Sequence, residues 1–499
     1  MKFKNLSRVE RNMLTGLFCQ FVTILLGFLM PRLYLTYYGS GVNGELNTIK
    51  QLFAYLYLLE AGVGLATIQA LYRPVAMEEH QTVSEILAAT DHYYRRTGTL
   101  YALIVVAIGI VYPMVVHFTL PRGVVLLYTI LYGLPSVTSF FVQAKYRLLM
   151  DVDGRRYVLS NLETATNLIS GIGKVLMLTQ NLLAMQLLYC LCSMLPIPVI
   201  LWYTHKNYPW IDHHAKPDYS AVAQKNSVLM HQLSGVIFNN TDMVLLSYFC
   251  NFQLVSVYSI YNMFFVQIIF VMNLFLNSIS FRMGQIFHTD RERFLGLFDL
   301  CETLYLAFVA FCYTMTAAFL LPVIRIYTSG IQDTNYIDAF LLLLFALKAV
   351  LESGKSIYHQ AVQFEGAFQQ TRWHALVEMA INLTITLFGI QFFGIYGCLF
   401  GTLAALLCRT VLIFRYTYRN ILHQRMARPA LKWVCDLGLM ALILRIVGIQ
   451  SRPELSLPGV IGVALLHMIW IGAAFAGAAF LFDHDLLRKL RALRSSIRS

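Results

Sequence analysis

The stretch Ala339–His359, AFLLLLFALKAVLESGKSIYH, decides the fold. It opens on an unbroken apolar run, Ala339 to Leu347, and then places Lys348, Glu352, Lys355 and His359 four, three and four residues apart. That spacing puts the four side chains on one face of an α-helix whose remaining circumference is mostly apolar. Such a helix fits the interior of a membrane better than water. Lys348 lies near the bilayer middle and cannot snorkel easily, so its face needs water, an anion or partner helices. Two readings follow: a polar cavity wall, or a closed ladder of structural ion pairs.

Working outward, similar apolar runs recur along the whole chain. The 499 residues are 58% hydrophobic and 13% charged, with a mean hydropathy of +0.61. Soluble domains are about half apolar and about a quarter charged. A water-soluble enzyme, a disordered tail and a coiled coil are thereby excluded. At roughly 20 residues per crossing there is room for about 14 transmembrane helices. Periodicity places them at about 12–35, 44–71, 97–118, 123–145, 157–178, 181–203, 227–249, 255–280, 297–321, 336–358, 373–392, 395–415, 433–449 and 459–482. The expected class is an all-α polytopic membrane protein.

The net charge of +12 is placed asymmetrically. Connections on one side carry most of the cations, among them Arg95, Arg96, Lys145, Arg147, Arg155, Arg156, Arg291, Arg293, Arg415, Arg419, Lys432 and the Arg488–Arg498 tail; the other side carries Arg32, Arg122, Arg325 and Arg452. The ratio of roughly seven to one is a positive-inside signal, which puts both termini in the cytoplasm and argues against nucleic acid as a partner. Outer connections are short, so no folded outer domain is expected. The stretch Glu78–Arg96 reads as a short surface helix, and Leu486–Arg498 either as a basic amphipathic tail suited to anionic headgroups or as a plain solvated tail. The nine cysteines fall almost wholly in apolar runs and read as buried thiols.

Other spans carry polar stripes. Glu163, Asn167, Ser170 and Lys174 repeat the four, three, four spacing in span 5. Span 2 carries Asn43, Asn47, Lys50, Gln51 and, deeper, Glu60; span 7 carries Gln232, Asn239, Asn240 and Asp242. Each stripe reads either as cavity lining or as hydrogen bonding between helices. Arg32 and Asp242 occupy matched places in a weak repeat: each is followed six residues later by a tyrosine, Tyr38 or Tyr248, and then by a new span. That repeat predicts two six-helix lobes, 1–203 and 227–416, joined by a cytoplasmic loop 204–226 and followed by two extra helices in 417–499. Pairing of Arg32 with Asp242 across the lobes would make an outer gate. Glu378, Arg409, Asp436, Arg445, His467 and Glu302 read as local pairs or anchors.

Apparent catalytic motifs are weak. Asp151-Val152-Asp153 is a D-x-D without a nucleotide-binding fold around it, and His213-His214 lacks further ligands at metal spacing. There is no G-x-x-x-x-G-K-[ST] for ATP. No catalytic residue, metal site or cofactor is assigned. Membrane glycosyltransferases and polymerases usually need a sizeable outer loop, which is missing here.

The stretch Tyr37–Ala76, YYGSGVNGELNTIKQLFAYLYLLEAGVGLATIQALYRPVA, resembles the start of bacterial oligosaccharide-lipid flippases. These are Wzx-like members of the polysaccharide transporter family, within the superfamily that also holds MATE exporters and the lipid II flippase. Ala144–Asn161 (AKYRLLMDVDGRRYVLSN), Val236–Phe249 (VIFNNTDMVLLSYF) and Gly394–Thr402 (GIYGCLFGT) resemble further segments in the family's order. The resemblance implies two six-helix lobes around a polar cavity. It also implies export of an undecaprenyl-pyrophosphate-linked oligosaccharide across the cytoplasmic membrane by alternating access, with membrane lipids, a coupling H⁺ or Na⁺ and the polysaccharide polymerase machinery as candidate partners. The family has no strict cation motif, so the substrate-binding candidates rest on the helix-face reading: Arg32, Lys50, Lys174, Lys348, Lys355 and Asn239. Glu60, Asp242, Glu352 and Glu163 are the coupling or gating candidates. A MATE-type multidrug cation antiporter is the alternative, and it calls for an acidic cavity.

Overall fold

The computed structural model describes residues 8–177, 181–222, 225–449 and 456–482. The described residues are mostly helical and hold no strand. The helices are α1 (Arg8–Ala76), α2 (His80–Val115), α3 (Arg122–Val142), α4 (Ala144–Val152), α5 (Arg156–Met177), α6 (Leu182–Met194), α7 (Pro196–Asn207) and α8 (Lys225–Phe249). They continue with α9 (Phe252–Thr289), α10 (Arg291–Tyr327), α11 (Ala339–Glu365), α12 (Phe368–Phe393), α13 (Ile395–Tyr416), α14 (Ala427–Val447) and α15 (Leu457–Phe482).

Every expected span falls on a helix, with three differences. Spans 1 and 2 are one element, α1, interrupted at Gly39, whose φ of 80° and ψ of 176° leave the helical region. A side chain is strained there, so the expected connection shrinks to a one-residue kink. Span 6 is split into α6 and α7 at Leu195, because Pro196 has no N–H to continue the ladder. The expected surface helix 78–96 is no separate element: α2 starts at His80 and runs unbroken into span 3. The tail Leu486–Arg498 lies outside the described residues.

Nine helical segments among the described residues, counting α6 and α7 as one, are long and apolar enough to cross a membrane. Helices α5, α11 and α14, which carry Glu163 and Lys174, the Lys348–Lys355 stripe, and Lys432 and Asp436, are not among them. Charge within a span therefore lowers its hydropathy where the polar stripes lie. Outward-facing apolar side chains supply the complementary signal. Phe392, Leu481, Ile469, Leu466 and Leu176 are all at least 70% exposed. A surface of that kind is stable against hydrocarbon, with backbone groups satisfied inside each helix. The chain is a multi-pass membrane protein.

Two compact units divide the chain between Ser256 and Val257. In the first, α1 packs along α8, α5 and α2, while α3 packs on α2 and α6. Its core joins Leu46, Ile49, Phe53, Tyr94, Tyr101, Val125, Tyr128 and Met185. Polar contacts set the register of α1: Asn43 donates to Ser256 Oγ at 2.7 Å, and Tyr55 meets Thr241 Oγ1 at 2.7 Å. Glu45, fully buried, accepts from the Thr119 N–H and hydroxyl and so ties the α2–α3 turn to α1.

In the second unit α10 is the central helix and packs against α11, α14 and α15. Helices α12 and α13 form a tight hairpin around Gly394. A Cβ on Gly397 would lie 2.1 Å from the Gly389 backbone, so only glycine permits that approach. Asp290 and Asp338 cap α10 and α11 by accepting from Arg293 N at 3.0 Å and Leu341 N at 2.9 Å.

Candidate functional site

Helix α1 sends Asn47 and Lys50 toward a cavity of about 280 Å³ in the first unit. Helix α5 contributes Asn167, Ser170 and Lys174; α3 contributes Tyr128 and Tyr132; α6 contributes Tyr189; and Tyr34 comes from the first half of α1. The stripes of spans 2 and 5 thus converge on one chamber. Lys50 is exposed, so the chamber is open, and the Lys174 ammonium lies 3.8 Å from the centre of the Tyr189 ring. No Asp or Glu lines the cavity, and neither lysine has a carboxylate within 4.0 Å among the described residues. Local bonds fix the wall: Asn47 Nδ2 donates to Asn43 O at 2.8 Å, and Ser170 Oγ to Asn167 O at 3.2 Å. Two ammonium groups in a wet, acid-free pocket make a site for an anion.

A second cavity of about 550 Å³ lies in the same unit, lined by Glu60, Gln143, Arg147, Asp151 and Arg156. Lys50 and Glu60 are ten residues apart on α1, about 15 Å along the helix axis. Glu163 does not join Lys174 at the first cavity: it pairs with Arg147 at 2.5 Å. Arg147 and the cavity tyrosines escape the stripe reading, which looked only for charges and amides inside spans. Repeated tyrosines facing the same way, as in Tyr128 and Tyr132 at a helical spacing of four, were the available signal.

The span 10 stripe resolves differently at each residue. Lys355 is ion-paired with Glu378 of α12 at 3.0 Å, with both side chains under 15% exposed. Arg409 of α13 approaches Glu378 at 3.9 Å, donates to Thr371 O at 3.3 Å, and meets His359 Nε2 at 3.4 Å. The lower half of the stripe is therefore a closed ion-pair cluster. Lys348 stands apart, 3.4 Å from the Tyr258 hydroxyl and 5.7 Å from the Tyr258 and Phe345 ring centres. Glu352 is half-buried beside it on α11. Arg32 is half-buried and Asp242 buried, and both belong to the first unit. The side chain of Asn239 lies outside the described residues.

Lys432, counted from sequence among the surface cations, is 1% exposed. Its ammonium meets Asp299 Oδ1 at 2.7 Å and Glu302 Oε2 at 2.8 Å. Glu302 also accepts from Tyr358 and Tyr418 at 2.9 and 2.8 Å. The D-x-D carboxylates are taken up locally: Asp151 by Arg156 at 3.1 Å, and Asp153 by Arg155 at 2.6 Å and by the Tyr208 hydroxyl at 2.7 Å. Burial, then the Asp153 carboxylate, pushes the Tyr208 phenol well above its ordinary value. Among the described residues no group of three His, Cys, Asp or Glu is placed to hold a metal.

No family model matches the chain, and no curated protein matches it. Solved structures do. The lipid II flippase MurJ in an inward closed conformation superposes with a TM-score of 0.71 at 14% identity, over 95% of this chain and 100% of that one. An inward-facing MATE multidrug resistance transporter of the MOP superfamily gives 0.62 at 11% identity, over 85% and 96%. The MATE multidrug transporter DinF-BH gives 0.58 at 15% identity, over 83% and 95%. The chain has the fold that these membrane transporters share.

Proposed function

We propose that this protein is a flippase, not an enzyme, which exports an undecaprenyl-pyrophosphate-linked oligosaccharide across the cytoplasmic membrane by alternating access. The observation that carries the reading is the pairing of Lys50 and Lys174 in one cavity without an acidic residue. A diphosphate cannot cross hydrocarbon unpaired, because burying its charges uncompensated costs many kcal/mol. Two ammonium groups with Asn47 and Asn167 replace its water and balance its charge. The polyprenyl tail stays in lipid. Lys348, in the second unit, has no carboxylate within 4.0 Å among the described residues.

With the N-terminus in the cytoplasm, as the positive-inside signal of the connections implies, an inside-negative potential favours outward movement of the anionic head group. Each charge crossing about 100 mV is worth about 2.3 kcal/mol. Glu60 and Glu352, which have no ion-pair partner among the described residues, are the carboxylates available to carry H⁺ or Na⁺. The acid-free cavity disfavours the cation antiporter.

The test is reconstitution into proteoliposomes with a lipid-linked oligosaccharide and, separately, a cationic rhodamine dye. Leaflet transfer of the lipid without dye efflux is the expected result. Dye efflux without lipid transfer would establish the antiporter instead.

A further inference from the structure

The ion-paired junction of α10 and α14 carries one more acid than its cations balance. Lys432 sits between Asp299 Oδ1 at 2.7 Å and Glu302 Oε2 at 2.8 Å, and Arg428 stands 3.9 Å from Asp299. The other Glu302 oxygen accepts from Tyr358 and Tyr418, and the Trp433 indole donates to the Tyr358 hydroxyl at 2.8 Å. Asp436 stands one turn past Lys432, about 6 Å along the axis, on the buried stripe of α14 that also holds Pro429, Met440 and Ile443. It is 7% exposed, with no hydrogen bond and no cation within 4.0 Å among the described residues. Helices α10 and α15 pack on α14. Helix α10 brings Asp299, Cys301, Glu302 and Tyr305 to this level, and Tyr305 donates to Ser353 O at 3.1 Å. The one titratable side chain of α15, His467, stands beside Phe319, about 25 Å further along α10 than Glu302. No cation is left for Asp436.

We propose that the α10–α14 junction is a proton-binding site, in which Asp436 holds one proton and α14 docks on α10 with that proton in place. The inference goes beyond the flippase reading, which uses neither α14 nor these acids. Ionised together, Asp299, Glu302 and Asp436 would set three negative charges against Lys432 and Arg428; one proton closes the balance. Arg428 is 56% exposed and reaches only Asp299, so it does not serve Asp436. An unpaired carboxylate on the buried stripe of a membrane helix is strongly disfavoured, and the group takes a proton instead. The proton forms an O–H bond on one Asp436 oxygen, and no other bond changes. Neutral Asp436 leaves Lys432 to its two partners on α10. Ionised Asp436, four residues from Lys432 on the same helix face, competes for the ammonium and loosens the clamp between α14 and α10. Binding of H⁺ therefore tightens the junction, and its release loosens it.

The experiment follows the carbonyl stretch of protonated carboxylic acids by infrared spectroscopy of the full chain in lipid nanodiscs, with thermal unfolding measured on the same samples. Near neutral pH the difference between wild type and Asp436→Asn should contain one protonated-acid band. The two Tm values should agree within about 5 °C, because the amide is a neutral isostere. As the pH is raised until the band bleaches, the wild-type Tm should fall, and Asp436→Asn should show no matching fall. Labelling the wild-type chain with carbon-13 aspartate should shift the same band, which keeps the assignment testable if the variant does not fold. Absence of the band near neutral pH, or an Asp436→Asn Tm lower by the roughly 6–20 °C that breaking a buried ion pair costs, overturns the proposal, since Asp436 is then an ionised partner of Lys432. A band that persists until the chain unfolds, or bleaching without loss of Tm, overturns the proton dependence of docking. A band abolished at constant pH by added Na⁺ overturns it in favour of a metal cation.

Discussion

Replacing Lys432 by methionine removes one charge from a site that water does not reach. The side chain is 1% exposed and its partner Glu302 is 0% exposed. Methionine keeps most of the volume, so the loss is electrostatic rather than a cavity. Glu302 Oε1 keeps the Tyr358 and Tyr418 hydroxyls, but Oε2 loses its cation, and Asp299 loses its 2.7 Å contact. Breaking a buried pair by removing one partner costs about 3–5 kcal/mol, since the remaining charge stays buried. At roughly 2–4 °C per kcal/mol for a unit of this size, Tm should fall by about 6–20 °C. Removing both charges is far cheaper: Lys432→Met with Glu302→Gln leaves an amide that still accepts from the two tyrosines, and Tm should recover to within a few degrees. Thermal unfolding in detergent can be followed by thiol labelling, with Cys301, 9% exposed beside Glu302, reporting the opening. A shift below about 2 °C in the single variant, or a double variant no more stable than the single, would refute the reasoning.

Two further expectations follow from the same chemistry. Glu378→Gln leaves Lys355 and Arg409 in a buried cluster and should destabilise by about 3–5 kcal/mol, whereas Glu163→Gln breaks a pair exposed by 37% and 44% and should cost about 0–1 kcal/mol; comparing their Tm values checks the ranking. Tyr208→Phe should cost about 1–2 kcal/mol through the lost bond to Asp153. Because the phenol's folded value lies above its ordinary one, the phenol's ionisation takes nothing from this contribution between neutral pH and about 10, and the contribution is lost as pH rises through the folded value. The difference between wild type and Tyr208→Phe should therefore stay constant from about pH 6 to pH 9 in a pH series of unfolding measurements.

Helix number and position were legible because apolar runs near 20 residues leave little choice in lipid. The kink at Gly39 was harder to see, since a glycine between two spans reads equally as a loop or as a single non-helical residue. The polar stripes were legible as stripes, and spans 2 and 5 do share a cavity through Lys50 and Lys174. Which stripe stays wet was not legible. Lys348 and Lys355 are seven residues apart on one face, yet Glu378 captures only the second, and that choice depends on how the α12–α13 hairpin packs on α11. Lys432 shows the same limit: near a helix start it counts as a surface cation until α10 places two carboxylates against it. The cavity tyrosines were missed because Tyr128, Tyr132 and Tyr189 resemble ordinary core residues until α3 and α6 are brought together.

The central claim is that Lys50 and Lys174 jointly hold an anionic head group. It is tested most directly by the rate of leaflet transfer of a lipid-linked oligosaccharide in proteoliposomes carrying wild type, Lys50→Gln/Lys174→Gln, or Lys50→Arg/Lys174→Arg. Losing two charge-assisted contacts of about 1.5–3 kcal/mol each should slow the glutamine double variant by at least about a hundredfold, while the arginine pair, which keeps both charges, retains substantial transfer. Transfer at the wild-type rate by a correctly folded glutamine double variant would contradict the account.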